Sequence, residues 1–172
     1  MSEWSLRLSR ASDAEILPAI ESAAGQLFAD DPDLAKIDVT ETWTASEHRK
    51  LISKGHCLTA LVGDDIVGFL TTEPFRRELH IWEMSVHPSH QKSGIGAGLL
   101  RACMIDARNS GFVALTLTTF RDIAWNAPFY ARLGFTEIAD PQAHPRLAET
   151  LAEEVEDGLP RTRRCAMIHF LE

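Results

Sequence analysis

Gln91-Lys92-Ser93-Gly94-Ile95-Gly96-Ala97-Gly98 is the stretch whose reading decides the fold. It joins the end of an apolar strand pattern to the start of a helical one. The first turn of a helix has free backbone N–H groups and the positive end of the macrodipole, so it can hold a phosphate. Gly94 and Gly96 omit the side chains that would keep an anion from those amides, and Lys92 adds a mobile positive charge. A dinucleotide fingerprint fails here because its sixth place is Leu99, and a Walker loop fails because the order is Lys-Ser-Gly. A glycine turn that only lets helix pack closely on strand stays open beside the phosphate reading.

Outward from the loop, Leu79 to Val86 reads as a strand, and Pro88 closes it. Ile95, Leu99, Ala102, Cys103 and Ala107 give the apolar face of a helix that ends at Gly111, in the position of a C′ glycine. Val113 to Thr118 alternates as the next strand. Strand, helix and strand form a βαβ unit, which implies a parallel pair with a right-handed crossover.

Upstream, Leu6-Arg7-Leu8 reads as a short strand. Ser12 with Glu15 has capping-box spacing for a helix to about Phe28, although Pro18 calls for a kink or a later start. A second helix is expected over about Thr42–Lys54, ending at Gly55. Cys57–Val62 and Ile66–Thr72 flank a Gly63-Asp64-Asp65 turn as a hairpin. Downstream come a short helix over Ala127–Leu133, closing strands at Phe135–Ile138 and Cys165–Phe170, and an acidic helical excursion over His144–Gly158. The expected class is α+β: a mixed β-sheet of about six to seven strands flanked by helices, with a central βαβ unit.

The 172 residues suit one domain, 1–172. The net charge of −8 argues against broad electrostatic capture of nucleic acid or anionic membrane. Met1 to Arg10 lacks the apolar run of a signal peptide, and no apolar run reaches the length of a membrane span. Cys57, Cys103 and Cys165 are scattered and form no C-x-x-C, which fits a reduced, cytoplasmic protein. His87 and His90 have no third ligand in reach, so no metal is expected.

Val86-His87-Pro88, then Gln91-x-x-Gly94-x-Gly96, then Tyr130-x-x-x-Gly134-Phe135 occur in this order. Together they resemble the GNAT superfamily of N-acetyltransferases, most strongly over Leu79–Phe135. The resemblance implies that acetyl-CoA lies between two splayed parallel strands. Backbone groups of Met84, Ser85 and Val86 would pair with the pantetheine arm, one N–H facing the thioester oxygen. Gln91, Lys92, Ser93, Gly94, Ile95, Gly96 and Ala97 would form the pyrophosphate loop. Tyr130, the single tyrosine, matches the family residue that protonates the departing thiolate. The family Asn that contacts the CoA arm is replaced by Ile123. Asn126 is offered instead, either as a CoA contact or as the N-cap of the short helix.

The implied reaction is transfer of an acetyl group from acetyl-CoA to a primary amine by direct attack, through a tetrahedral intermediate. A protonated amine cannot attack, so a general base is needed. Glu83, mid-strand beside the thioester, is the first candidate, because burial there would raise its pKa. His80 is the second, because imidazole titrates near about pH 6.5. Trp82, Trp125 and Phe120 are candidates for the acceptor pocket or for the core. The acidic run Glu149, Glu153, Glu154, Glu156 and Asp157 would steer a cationic small-molecule or peptide acceptor. A non-catalytic acyl-CoA-binding module on the same fold is the alternative, and homodimers are common in the family.

Overall fold

The computed structural model describes residues 3–35 and 42–172. Strands β1 (Trp4–Leu8), β2 (Leu58–Val62), β3 (Asp65–Phe75), β4 (Glu78–Val86), β5 (Ala114–Phe120), β6 (Thr136–Glu137) and β7 (Arg164–Phe170) form one sheet. Its order is β1-β2-β3-β4-β5-β7-β6. All neighbours are antiparallel except β4 and β5, which run parallel. The crossover between those two is α3 (Ile95–Asn109). The sheet is thus the mixed, helix-flanked α+β arrangement that the periodicity implies.

On α3, Ile95, Leu99, Leu100, Cys103 and Ala107 are buried, the 3.6-period stripe read from the sequence except that Leu100 is in it and Ala102 is only half-buried at its edge. They pack on Leu79 and Ile81 of β4 and Leu115 and Leu117 of β5, which form the main core. The helix ends with Gly111 N–H bonded to Arg108 O (3.2 Å) and Phe112 N–H to Ala107 O (3.0 Å), a Schellman closure. At its start the ring of Trp4 lies on the helix, and Trp4 Nε1–H donates to Ser93 O (3.1 Å). A Cβ on Gly98 would stand 2.5 Å from Trp4 Cη2. Gly98→Ala should therefore destabilise the fold by about 1–3 kcal/mol, read as a lower denaturation midpoint. An unchanged midpoint would mean that Trp4 swings away without loss.

The first helix differs from the expected one. Residues Ala11–Glu15 form a 3-10 segment, and α1 begins only at Leu17 (Leu17–Gly25) with Pro18 in its first turn. Proline lacks an N–H and fits that position, so it sets the start and does not kink the middle. The Arg10 N–H is taken by Asp13 (Oδ2, 2.8 Å), which also holds Arg7 (2.7 Å), so Ser12 is not the cap. The second helix, α2 (Ala45–Ile52), starts three residues later than expected. Thr44 caps it, reciprocated by Glu47.

Candidate active site

The parallel pairing of β4 with β5 covers only Glu78–Ile81 against Ala114–Leu117. At that point β4 carries an irregularity: Thr71 of β3 pairs with Glu83 and Thr72 with Ile81, leaving Trp82 as an extra residue. A bulge of this kind bends the strand. Beyond it β4 follows β3 while β5 follows β7, and the two strands part. The gap opens into a cavity of about 750 Å³ lined by both strands, α1, the loop before α3, and α4 (Ala127–Arg132).

Of the residues singled out in the sequence, Glu83, Met84, Ser85, Val86, Gln91, Lys92, Asn126 and Tyr130 line this cavity, together with Trp82, Phe120 and Trp125. Past Ile81 the edge of β4 that faces β5 has no strand partner, so Met84, Ser85 and Val86 present a free strand edge there. Gln91 Nε2 donates to Val86 O (3.0 Å) and pins the loop to the strand end. Lys92 (φ 62°) and Gly94 (φ 89°) both take the left-handed backbone that turns the chain into α3. Gly98 N–H is the first to bond back, to Gly94 O (2.9 Å), which leaves the amides of Ile95, Gly96 and Ala97 without an intrahelical acceptor. Free amides, a dipole end and an adjacent lysine suit a diphosphate. Ser93 itself is tied to Trp4 and to His90 O.

Glu83 Oε1 accepts from Ser85 Oγ (3.0 Å). Burial, and repulsion from Glu21 of α1, hold its carboxyl well above the ordinary carboxylate range. Glu21 lines the same cavity and is likewise raised by burial. Behind it stands His48 of α2, fully buried, with Nε2 3.8 Å from Glu21 Oε1. Neither of these two atoms has a hydrogen-bond partner among the described residues. Burial pulls the His48 pKa down, so that imidazole is held neutral. Tyr130, on α4, packs edge-on against Phe129 and Phe135, and burial pushes its phenol up, keeping the hydroxyl protonated.

Asn126 starts α4, but its side chain makes no capping bond. Oδ1 instead accepts from Thr119 Oγ1 (2.7 Å) and Phe120 N–H (3.4 Å), tying the helix start to the end of β5. The N-cap expectation is therefore corrected: the side chain is drawn to two donors on the splayed strand. His80 does not line the cavity. The bulge comes two residues after it, and its ring lies among Phe75, Trp82, Thr116 and Arg146. Arg146 Nη1 donates to His80 Nδ1 (3.2 Å), so the neutral ring carries its proton on the buried Nε2. Burial and Arg146 depress its pKa to about 3. The structure brings it to neither Glu83 nor Tyr130.

Sequence reasoning missed Glu21, His48 and Arg164. Glu21 follows the buried Ile20 and lies four residues beyond the buried Leu17. An acid within an apolar stripe was the available signal. Arg164 opens β7 and reaches the cavity only because β7 pairs with β5, with Phe120 opposite Arg164. Nothing local in the sequence announces that pairing.

Solved structures share this fold. PaiA N-acetyltransferase from Thermoplasma acidophilum, solved in complex with coenzyme A, superposes with a TM-score of 0.72 at 14% identity, over 98% of this chain and 99% of that one. Ard1 from Thermoplasma volcanium gives 0.68 at 17% identity, over 98% of each chain. The ribosomal-protein-S18-alanine N-acetyltransferase from Escherichia coli gives 0.68 at 16%, over 99% of this chain and 95% of that one. The model of the Acetyltransferase (GNAT) family matches residues 21–135, from Glu21 on α1 to Phe135 beyond the Tyr130 helix. That match takes in the splayed strands, the glycine loop and α4 together, and the chain belongs to the GNAT acetyltransferase family.

Proposed function

We propose that the chain is one N-acetyltransferase domain that moves an acetyl group from acetyl-CoA to a primary amine in the cytoplasm. The observation that carries this reading is the cavity at the parting of β4 and β5, with Glu83 and Tyr130 both on its lining. Acetyl-CoA supplies an activated acyl group whose thioester carbonyl the amine attacks. The amides of Ile95, Gly96 and Ala97, with Lys92, hold the diphosphate, and the free edge at Met84–Val86 bonds the pantetheine arm. An N–H of that edge receives the developing oxyanion. Glu83 takes the proton from the amine, and its raised pKa suits a base that works near neutrality. The Tyr130 hydroxyl, kept protonated, gives a proton to the departing thiolate. Asn126 holds the end of β5 in its splayed course and contacts the arm.

The test is thiol release from acetyl-CoA on addition of primary amines. Tyr130→Phe should lower kcat by about tenfold with acetyl-CoA affinity retained. The effect lies below the usual range for acid catalysis, because a thiolate is already a fair leaving group. Equal kcat in the variant would reduce Tyr130 to packing. Coenzyme A binding with no amine turned over would favour the non-catalytic acyl-CoA-binding reading.

A further inference from the structure

The end of the cavity away from the glycine loop has its own chemistry. Phe28 packs against Phe120 (ring centroids 5.7 Å) and Trp125 (6.0 Å), and Leu34 and Leu159 complete an apolar wall. Three ionisable residues among the described ones line this end: Glu21, Glu83 and Arg164. Lys92 belongs to the loop at the opposite end.

Arg164 already carries a counter-charge. Glu154, projecting from α5 (Pro145–Glu156), takes its Nε on Oε1 and its Nη2 on Oε2, each at 3.0 Å. The guanidinium also lies 4.5 Å over the Phe120 ring. Thr118 Oγ1 donates to Glu154 Oε2 (2.6 Å), so the acid is fixed as well. The two side chains are 11% and 15% exposed, and their charges cancel in place. A substrate carboxylate entering here would face Glu21 and Glu83 and find no cation free of a counter-charge. Burial holds both acids toward their neutral forms, so what opposes the carboxylate is the loss of its hydration with no counter-charge to replace it. An ammonium group meets two acids, and an apolar body meets rings.

We propose that the acceptor is a primary amine on an uncharged apolar body, an arylalkyl- or alkylamine, and that Glu154 excludes amino-acid acceptors by occupying Arg164. This rests on the acetyl-transfer reading above. Glu154 is a positioning residue, acting through the guanidinium and not on the substrate. It is also one of the acids that the sequence suggested for steering a cation, and the structure turns it inward instead.

The experiment compares 2-phenylethylamine, L-phenylalanine and spermidine as acceptors for the full chain with acetyl-CoA. 2-Phenylethylamine should exceed L-phenylalanine by at least about tenfold in kcat/KM, the difference lying in KM. Glu154→Gln should narrow that gap to within about threefold by lowering KM for L-phenylalanine, since the guanidinium is then free to take the carboxylate. The double variant Glu154→Leu with Arg164→Met removes the pair and should restore the wild-type preference, whether or not the single variant folds. L-Phenylalanine or spermidine used as well as 2-phenylethylamine by the wild type would overturn the proposal. An unchanged ratio in a folded Glu154→Gln protein would overturn the role of Glu154. If no amine is turned over, the acetyl-transfer reading fails by itself. Thermal shift of the coenzyme A-bound protein by the same three compounds then decides the acceptor end: a larger shift with 2-phenylethylamine upholds it, and an equal or larger shift with either other compound overturns it.

Discussion

Replacing Glu83 with Gln should lower kcat/KM for an amine acceptor by about 100-fold, the lower part of the range for loss of a general base, while coenzyme A affinity holds. The amide keeps the size of the side chain and the bond from Ser85 Oγ, so what disappears is the proton acceptor. Because burial and Glu21 raise the Glu83 pKa, the wild-type rate should climb with pH through a value above the ordinary carboxylate range. In the variant that limb vanishes and only the deprotonation of the amine itself remains. Stability supplies a second readout with a definite sign. The native state keeps a proton on Glu83 at pH values where the unfolded chain, with its ordinary value of 4.5, has released it. Wild-type stability is therefore fully present below that value and falls as pH rises toward the raised one. Glu83→Gln carries no such loss, so it should melt higher than wild type at alkaline pH, with the difference closing below about pH 4.5. Parallel pH profiles of rate and melting for the two proteins would remove Glu83 from the base role.

The partner of Glu83 explains why a single strand residue does not fully define the site. Glu21 comes from α1 and Arg164 from β7, with His48 of α2 behind Glu21, and each takes its place through a tertiary pairing that no local pattern encodes. The sheet was legible because its signals are local: alternating residues for the strands, a five-residue buried stripe on α3, and a glycine where the chain must turn. The loop was legible because an anion site at a helix start needs small residues and a nearby cation in one short segment. His80 illustrates the opposite limit. By sequence it sits three residues from Glu83 on the same strand, but it falls where β4 is still paired with β5, opposite Thr116, before the two strands part. His80 ends under Arg146, where burial keeps it neutral. A bulge has no dependable sequence mark here, and it decides which side chains of β4 belong to the site. Asn126 was legible as the start of α4 but not as the tie to β5, because two donors on a distant strand compete with the local cap.

Gly94→Glu should weaken acetyl-CoA binding by at least about 100-fold, so that at ligand about one hundred times the wild-type Kd the stabilisation falls from about 2.7 to about 0.4 kcal/mol. Two effects are mixed in this substitution, and they separate. Gly94 sits at φ 89°, where any side chain is strained by about 1–2 kcal/mol, so Gly94→Ala should lower the melting temperature without removing the shift by coenzyme A. Space is not the obstacle, since the nearest atom to an added Cβ is Trp4 Cζ2 at 3.8 Å. Only the glutamate places a negative charge beside the unbonded amides of Ile95, Gly96 and Ala97 and competes for them. A shift retained in Gly94→Glu would make this loop a packing turn, as the glycine spacing alone allows. A shift lost in Gly94→Glu and kept in Gly94→Ala assigns the amides to the diphosphate. This outcome is independent of Glu83: the loop governs binding and the carboxylate governs transfer, so failure at either place leaves the other reading intact.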